Sequence, residues 1–148
     1  MTLGHRTETT TLEDKEQRVT IDDLAALEQI RRLFAEYCHR FDDRDVDGWV
    51  ALFTPDARFV VGRTEHVGHD AIRAWADAAQ AASTAPSRHL ITNAAIDLDS
   101  PDEARSTSDF VVVNADRTIA AAGRYADQLR RDGGEWRLAE RRVEFLRA

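Results

Sequence analysis

The dominant spacing of apolar residues changes along this chain, and that change confines the fold. Up to about residue 82 it is mainly helical, with one strand–turn–strand segment between helices; beyond Pro86 the texture is that of strands. Leu24, Leu27, Ile30, Leu33, Phe34, Tyr37, Cys38 and Phe41 form one broad apolar helix face, opened by the cap and first-turn residues Thr20, Asp22 and Asp23. The helix is expected to weaken in the cluster Asp42-Asp43-Arg44-Asp45. A short second helix follows, with Val46, Trp49, Val50 and Phe53 on one side, and Thr54-Pro55-Asp56 is expected to end it. Ala57–Val61 reads as a strand. Gly62 and Gly68 bracket a turn and a short return strand, Glu65 to Val67. A third helix is predicted from Asp70 to Ala82, with Ile72, Trp75, Ala76 and Ala79 on one face.

The remaining apolar runs read as strands over Arg88–Leu98, Phe110–Val113, Thr118–Leu129 and Trp136–Leu146. Ser100-Pro101-Asp102, Asn114-Ala115-Asp116 and Asp132-Gly133-Gly134 supply turn chemistry between them. Three helices followed by long successive strands predict an α+β fold: an antiparallel sheet with helices gathered on one side. Residues 1–19 are polar and aperiodic and read as a flexible tail, leaving 20–148 as one domain.

Several function classes are set aside at this stage. The formal net charge is −7 with the two signs interspersed, so the basic stripe needed for nucleic acid is missing. No apolar run approaches a membrane span, and the N-terminus lacks a signal-peptide core, so no membrane partner is expected. A single cysteine, Cys38, falls on the apolar helix face, which predicts a buried structural thiol and a cytoplasmic setting. His66 and His69 straddle Gly68 with no acid or cysteine at metal spacing; they read as surface histidines, and no metal is expected. There is no glycine-rich phosphate loop and no GxSxG elbow.

His89 is the most suggestive residue that spacing alone offers. It opens a strand on whose one face His89, Ile91, Asn93 and Ala95 would lie, and histidine is the natural proton carrier at neutral pH. A half-buried strand histidine is the plainer reading. Asp42 reads equally well as a solvated member of its acidic cluster, and Tyr37 as core. On a regular helix Tyr37 and Asp42 stand about 140° apart, so they converge on one cavity only if the helix end bends or the tyrosine reaches round.

Two segments resemble a known family. YCHRFDDRDVDGWVALFTPDARFVV, Tyr37 to Val61, is similar to the opening of the nuclear transport factor 2-like superfamily, in particular its SnoaL-like branch: an aromatic first helix ending in an acid, a short aromatic second helix, then F-x-P-D-A into a strand. SRHLITN, Ser87 to Asn93, resembles that branch's R-H-x-x-x-N strand. The resemblance runs from about Thr20 to the C-terminus. It implies a cone: a strongly curved antiparallel or mixed sheet wrapped around three N-terminal helices. It also implies an Asp42–His89 pair like that of scytalone dehydratase and bile acid 7α-dehydratase, with Tyr37 matching the tyrosine of the latter and Asn93 closing the histidine motif. The chain departs from scytalone dehydratase at Phe41, Val61 and Ser108, and it lacks the Asp-Arg-Asp set of limonene epoxide hydrolase.

What the resemblance implies for function is a cofactor-independent lyase or isomerase. It would act by His–Asp acid–base catalysis on a small apolar carbonyl compound, steroid-like or polyketide-like, with dehydration foremost. Polyketide cyclisation is a further option, as is a non-catalytic ligand-binding or assembly role like that of ring-hydroxylating dioxygenase β subunits. Phe34, Trp49, Phe53, Phe59, Trp75, Ile91, Phe110 and Tyr125 are the candidate substrate contacts, and the long final strand suggests a homodimer.

Overall fold

A capping box opens the first helix, α1 (Ile21–Asp42), in the computed structural model, which describes residues 18–148. Residues 1–17 of the expected tail lie outside the described part. The Thr20 hydroxyl accepts from the Asp23 N–H at 3.1 Å, and the Asp23 carboxylate accepts from the Thr20 N–H at 2.8 Å. These bonds from Thr20 hold the Asp23 carboxyl below its usual range.

After α1 come α2 (Val46–Val50), β1 (Phe53–Val61), β2 (Thr64–Val67), α3 (Gly68–Ala82), β3 (Ser87–Ser100), β4 (Glu103–Asn114), β5 (Ile119–Asp132) and β6 (Glu135–Phe145). The acidic cluster between α1 and α2 forms a joint, in which Asp42 is partly buried while Asp43, Arg44 and Asp45 stay exposed. Arg44 occupies the left-handed region (φ 62°), where glycine is usual. Its guanidinium donates to the carbonyls of Gln80 (3.0 Å) and Ser83 (2.6 Å), closing the open end of α3. Asp45 accepts from the Gly48 N–H at 2.9 Å and caps α2.

The six strands form one sheet in the order β2-β1-β6-β5-β4-β3. β1 and β6 run parallel and every other pair antiparallel. Register shifts interrupt the β1–β6, β3–β4, β4–β5 and β5–β6 ladders. Such bulges bend a strand and increase its twist, so the sheet curves without closing. α1 packs on β3 and β6, and α3 packs on β1 and β2. The core between helices and sheet is built on Ile30, Trp49, Phe53, Phe59, Ile72 and Leu138, all essentially inaccessible.

Four expectations need correction. Phe53 and Thr54-Pro55-Asp56 belong to β1, not to the end of the second helix. Pro55 is tolerated because it falls in the irregular stretch between Phe53 and Arg58, where no ladder bond needs its missing N–H. β4 begins at Glu103, seven residues before the apolar run, because its inward positions there include the polar Ser106 and Ser108. On β3 the face changes after Ile91. Asn93 takes φ 52° at a register shift, so Asn93 and Ala95 are exposed while Ala94 and Ile96 turn inward. Finally, His66 and His69 are half-buried rather than superficial. The His69 Nε2 bonds the Phe53 carbonyl at 2.8 Å, and the His66 ring lies near those of Phe59 and Trp75.

Candidate active site

The end of α1 and the start of β3 meet through two hydrogen bonds. Asp42 Oδ2 accepts from the His89 backbone N–H at 2.9 Å, and Oδ1 lies 2.6 Å from His89 Nδ1. The carboxylate is nearly inaccessible (3% exposed) and the imidazole slightly open (18%). A carboxylate only accepts, so Nδ1 carries the ring proton and the lone pair falls on Nε2. The Phe41 ring meets the imidazole edge-on at 5.3 Å and limits its rotation. Among the described residues nothing hydrogen-bonds Nε2.

His89 forms part of the wall of a cavity of about 210 Å³ between the helices and the sheet. Tyr37, Phe59, Trp75, Phe110 and Tyr125, all anticipated from the sequence, line it as well. Asp42 does not; it stands behind His89, which carries its influence into the cavity. The angular problem on α1 therefore dissolves, since Tyr37 faces the cavity and Asp42 faces the histidine. The other candidates lie elsewhere. Trp49 and Phe53 back the lining rings, Trp49 standing 5.2 Å from both Tyr37 and Phe41. Phe34 is buried beneath Arg141 and Ile91 packs against the core. Asn93 is on the outer face, bonded to Asp109 at 3.1 Å. Cavity residues that the sequence reading did not propose include Phe41, Val61, Val112, Ala121 and Phe145. Phe41 was legible on the apolar face of α1; Val112 and Ala121 follow from strand register, as Val112 pairs with both His89 and Ala121.

Beneath the two tyrosines lies a buried ion pair that the sequence did not reveal. Arg141, fully inaccessible, donates to Asp127 from Nε (2.8 Å) and Nη2 (2.7 Å). The Ser106 hydroxyl donates to the same carboxylate at 3.0 Å. The guanidinium carbon sits 4.2 Å from the Tyr37 ring centre and 4.0 Å from that of Tyr125. Burial tends to lower the Arg141 pKa, but the charge and hydrogen bonds of Asp127 outweigh it and hold the guanidinium protonated. Burial pushes the Tyr37 phenol up to about 12, against the pull of the Arg141 charge. Tyr125 is raised as well, by burial first and then by its neighbour Tyr37. Both phenols therefore remain protonated at neutral pH, and both residues line the cavity. Cys38 is likewise pushed up to about 12 by burial, which keeps it a thiol.

A regular hairpin folded on Gly133-Gly134 would place Asp127 opposite Glu140. The register shift between Gln128 and Leu129 moves Arg141 there instead. No periodicity in the sequence marks that bulge.

Among the described residues no helix is long and apolar enough to cross a membrane. Comparison with known proteins places this geometry in context. The family model described as SnoaL-like domain matches residues 22–142. Rv3472, a Mycobacterium tuberculosis protein of unknown function, is 32% identical over 86% of this chain and 75% of its own, with a TM-score of 0.78. A Nostoc punctiforme protein of unknown function with a cystatin-like fold is 26% identical over 88% of this chain and 96% of its own, at 0.77. A Novosphingobium aromaticivorans protein named for scytalone dehydratase is 19% identical, covering 85% and 87%, at 0.75; at that identity the likeness concerns the fold alone. None of the curated proteins compared with the chain matches it.

Proposed function

The chain belongs to the SnoaL-like domain family, and from that premise we propose that it is a lyase or isomerase working by acid–base catalysis on a small apolar carbonyl compound, most directly by dehydration. One observation carries the reading: Asp42 holds the Nδ1–H of His89 at 2.6 Å, which leaves the lone pair on Nε2 of a histidine that lines an apolar cavity. Asp42 fixes the tautomer and stabilises the imidazolium as it forms. His89 Nε2 takes a proton from the carbon next to a bound carbonyl. The electron pair left on carbon becomes a double bond as the C–O bond to a β-hydroxyl breaks, and the departing oxygen leaves as water on receiving the proton from His89. Tyr37, a protonated phenol in the cavity wall, donates a hydrogen bond to the carbonyl oxygen while negative charge develops there. If the proton returns to carbon at a different position, the same groups move a double bond. These side chains need no cofactor for either outcome.

The first step can be tested without knowing the natural substrate. Exchange of α-hydrogen for deuterium in a panel of ketones is followed by NMR in deuterated buffer. Wild type is expected to accelerate exchange, and His89→Ala to reduce that acceleration by about 10²-fold or more. Asp42→Asn is expected to reduce it strongly and Tyr37→Phe partially. Wild-type exchange rates in His89→Ala would refute the reading.

A further inference from the structure

We infer that the cavity takes a neutral ligand of one or two rings and rejects both ionic molecules of that size and four-ring skeletons. The inference rests on the site described above and narrows the class of molecule that it admits. Size comes first. At about 210 Å³ the cavity exceeds the roughly 150 Å³ that suffices for a benzene in a dry apolar site. It falls short of the roughly 300–1,000 Å³ typical of pockets that enclose drug-sized ligands. A hollow of about 230 Å³ adjoins it, sharing Phe41, Ala79, His89 and Val112, but Asp42, Arg44, Gln80 and Asn114 also line that hollow, so the far rings of a four-ring skeleton would have to cover polar and charged groups.

The walls are not free to retreat. Trp75 is wedged between Phe59, 4.7 Å away edge-on, and Trp49, stacked at 6.0 Å. Phe110 lies flat on Tyr125 at 4.4 Å, meets Phe145 edge-on at 5.9 Å and rests on the backbone at Gly123. A Cβ on that glycine would stand 2.7 Å from the Phe110 ring and 2.1 Å from the Glu144 carbonyl, so ring and backbone are already in contact. Enlarging the cavity on this side would require separating β5 from β6.

Charge comes second. Among the described residues that line the cavity the side chains with polar groups are Tyr37, Tyr125, His89 and Trp75; none is a formal ion with His89 neutral. Any ion entering would lose its hydration with few partners in return. The charges behind the walls make this worse for anions. Arg141 is neutralised by Asp127, and the carboxylate of Asp42 stands behind His89. A neutral molecule instead loses little on entry, and a carbonyl or hydroxyl oxygen can accept from a phenol.

The test is equilibrium binding to the full chain, titrated by NMR, with 1-indanone, indane-1-carboxylate, 1-aminoindane and the four-ring ketone androstenedione. The dissociation constant for 1-indanone is expected to be at least ten-fold lower than for each of the other three. Ala121→Phe, which fills the cavity from a half-buried strand position, is expected to abolish 1-indanone binding while the chain unfolds at its usual denaturant concentration. Either ion or the steroid binding as tightly as 1-indanone overturns the inference. So does failure of 1-indanone to bind, or its full binding to Ala121→Phe. Repeating the titrations with His89→Gln separates this from the catalytic reading: the order of affinities is expected to persist where α-hydrogen exchange is lost.

Discussion

Replacing Asp127 with leucine would strand the Arg141 guanidinium in the protein interior. The native carboxylate receives two hydrogen bonds from that guanidinium, at 2.8 and 2.7 Å, and a third from Ser106 at 3.0 Å. Both partners of the ion pair have fully buried side chains. Arg141 Nη1 already lacks a partner among the described residues, so the fold holds no spare acceptor for it. Breaking a buried pair on one side costs about 3–5 kcal/mol, and the orphaned Ser106 hydroxyl adds about 1 kcal/mol. Against a total stability of about 5–15 kcal/mol for a domain of this kind, that is a large fraction. Urea denaturation is the assay, read from the midpoint at constant slope. The companion variant, Asp127→Leu with Arg141→Met, removes both charges and refills the space with apolar atoms. It is expected to be markedly more stable than Asp127→Leu alone, with a coupling of at least about 2 kcal/mol. A loss below about 1 kcal/mol for Asp127→Leu would refute the reasoning, because it would mean the buried cation finds solvent or another partner.

Alkaline pH should expose the burial of Tyr37. Its folded pKa of about 12 lies above the ordinary 10.0, so between those values the unfolded chain gives up a proton that the folded chain keeps. The Tyr37 contribution to stability is therefore complete below about pH 10 and falls by about 2–3 kcal/mol towards pH 12. Tyr37→Phe is expected to make that part of the stability–pH curve shallower, with Cys38→Ala and Tyr125→Phe as controls for the other two raised groups. Gly123→Ala is expected to destabilise by about 1–3 kcal/mol, at the upper end because a backbone carbonyl stands 2.1 Å from the new carbon. Thermal melting measures this, and an unchanged midpoint would mean β5 and β6 part more easily than their close approach implies. Thr20→Ala removes one half of the α1 capping box and is expected to cost about 1 kcal/mol, read by urea denaturation.

The helices were legible because their apolar residues repeat at helical spacing, and α1 opens on a recognisable capping box, although α3 begins at Gly68 without a side-chain cap. Strands failed where polar residues turn inward or where the ladder is broken. Ser106 and Ser108 disguised the first half of β4, since alternation cannot be recognised when the buried set is hydroxyls awaiting an ion pair. Pro55 concealed the first half of β1, and the bulge at Asn93 reversed the face expected for the end of β3. At the site, spacing left His89 and Asp42 as unremarkable polar residues, and the family resemblance singled them out. The bond between them is a tertiary contact across 47 residues that no local pattern encodes. Arg141 was missed for a related reason, as its pairing with Asp127 depends on a register shift in the β5–β6 hairpin.

The protonation pattern of one imidazole tests the central claim most directly. With ¹⁵N-labelled histidine, long-range ¹H–¹⁵N correlation in mildly alkaline buffer distinguishes a nitrogen that carries hydrogen from one that does not. For His89 the geometry requires a protonated Nδ1, held at 2.6 Å by Asp42, and a bare Nε2 at the cavity. Asp42→Ala is expected to release this preference, so that the ring shifts toward the mixture of tautomers found in unconstrained histidine. A wild-type His89 protonated on Nε2, or one whose tautomer is unmoved by Asp42→Ala, would contradict the account.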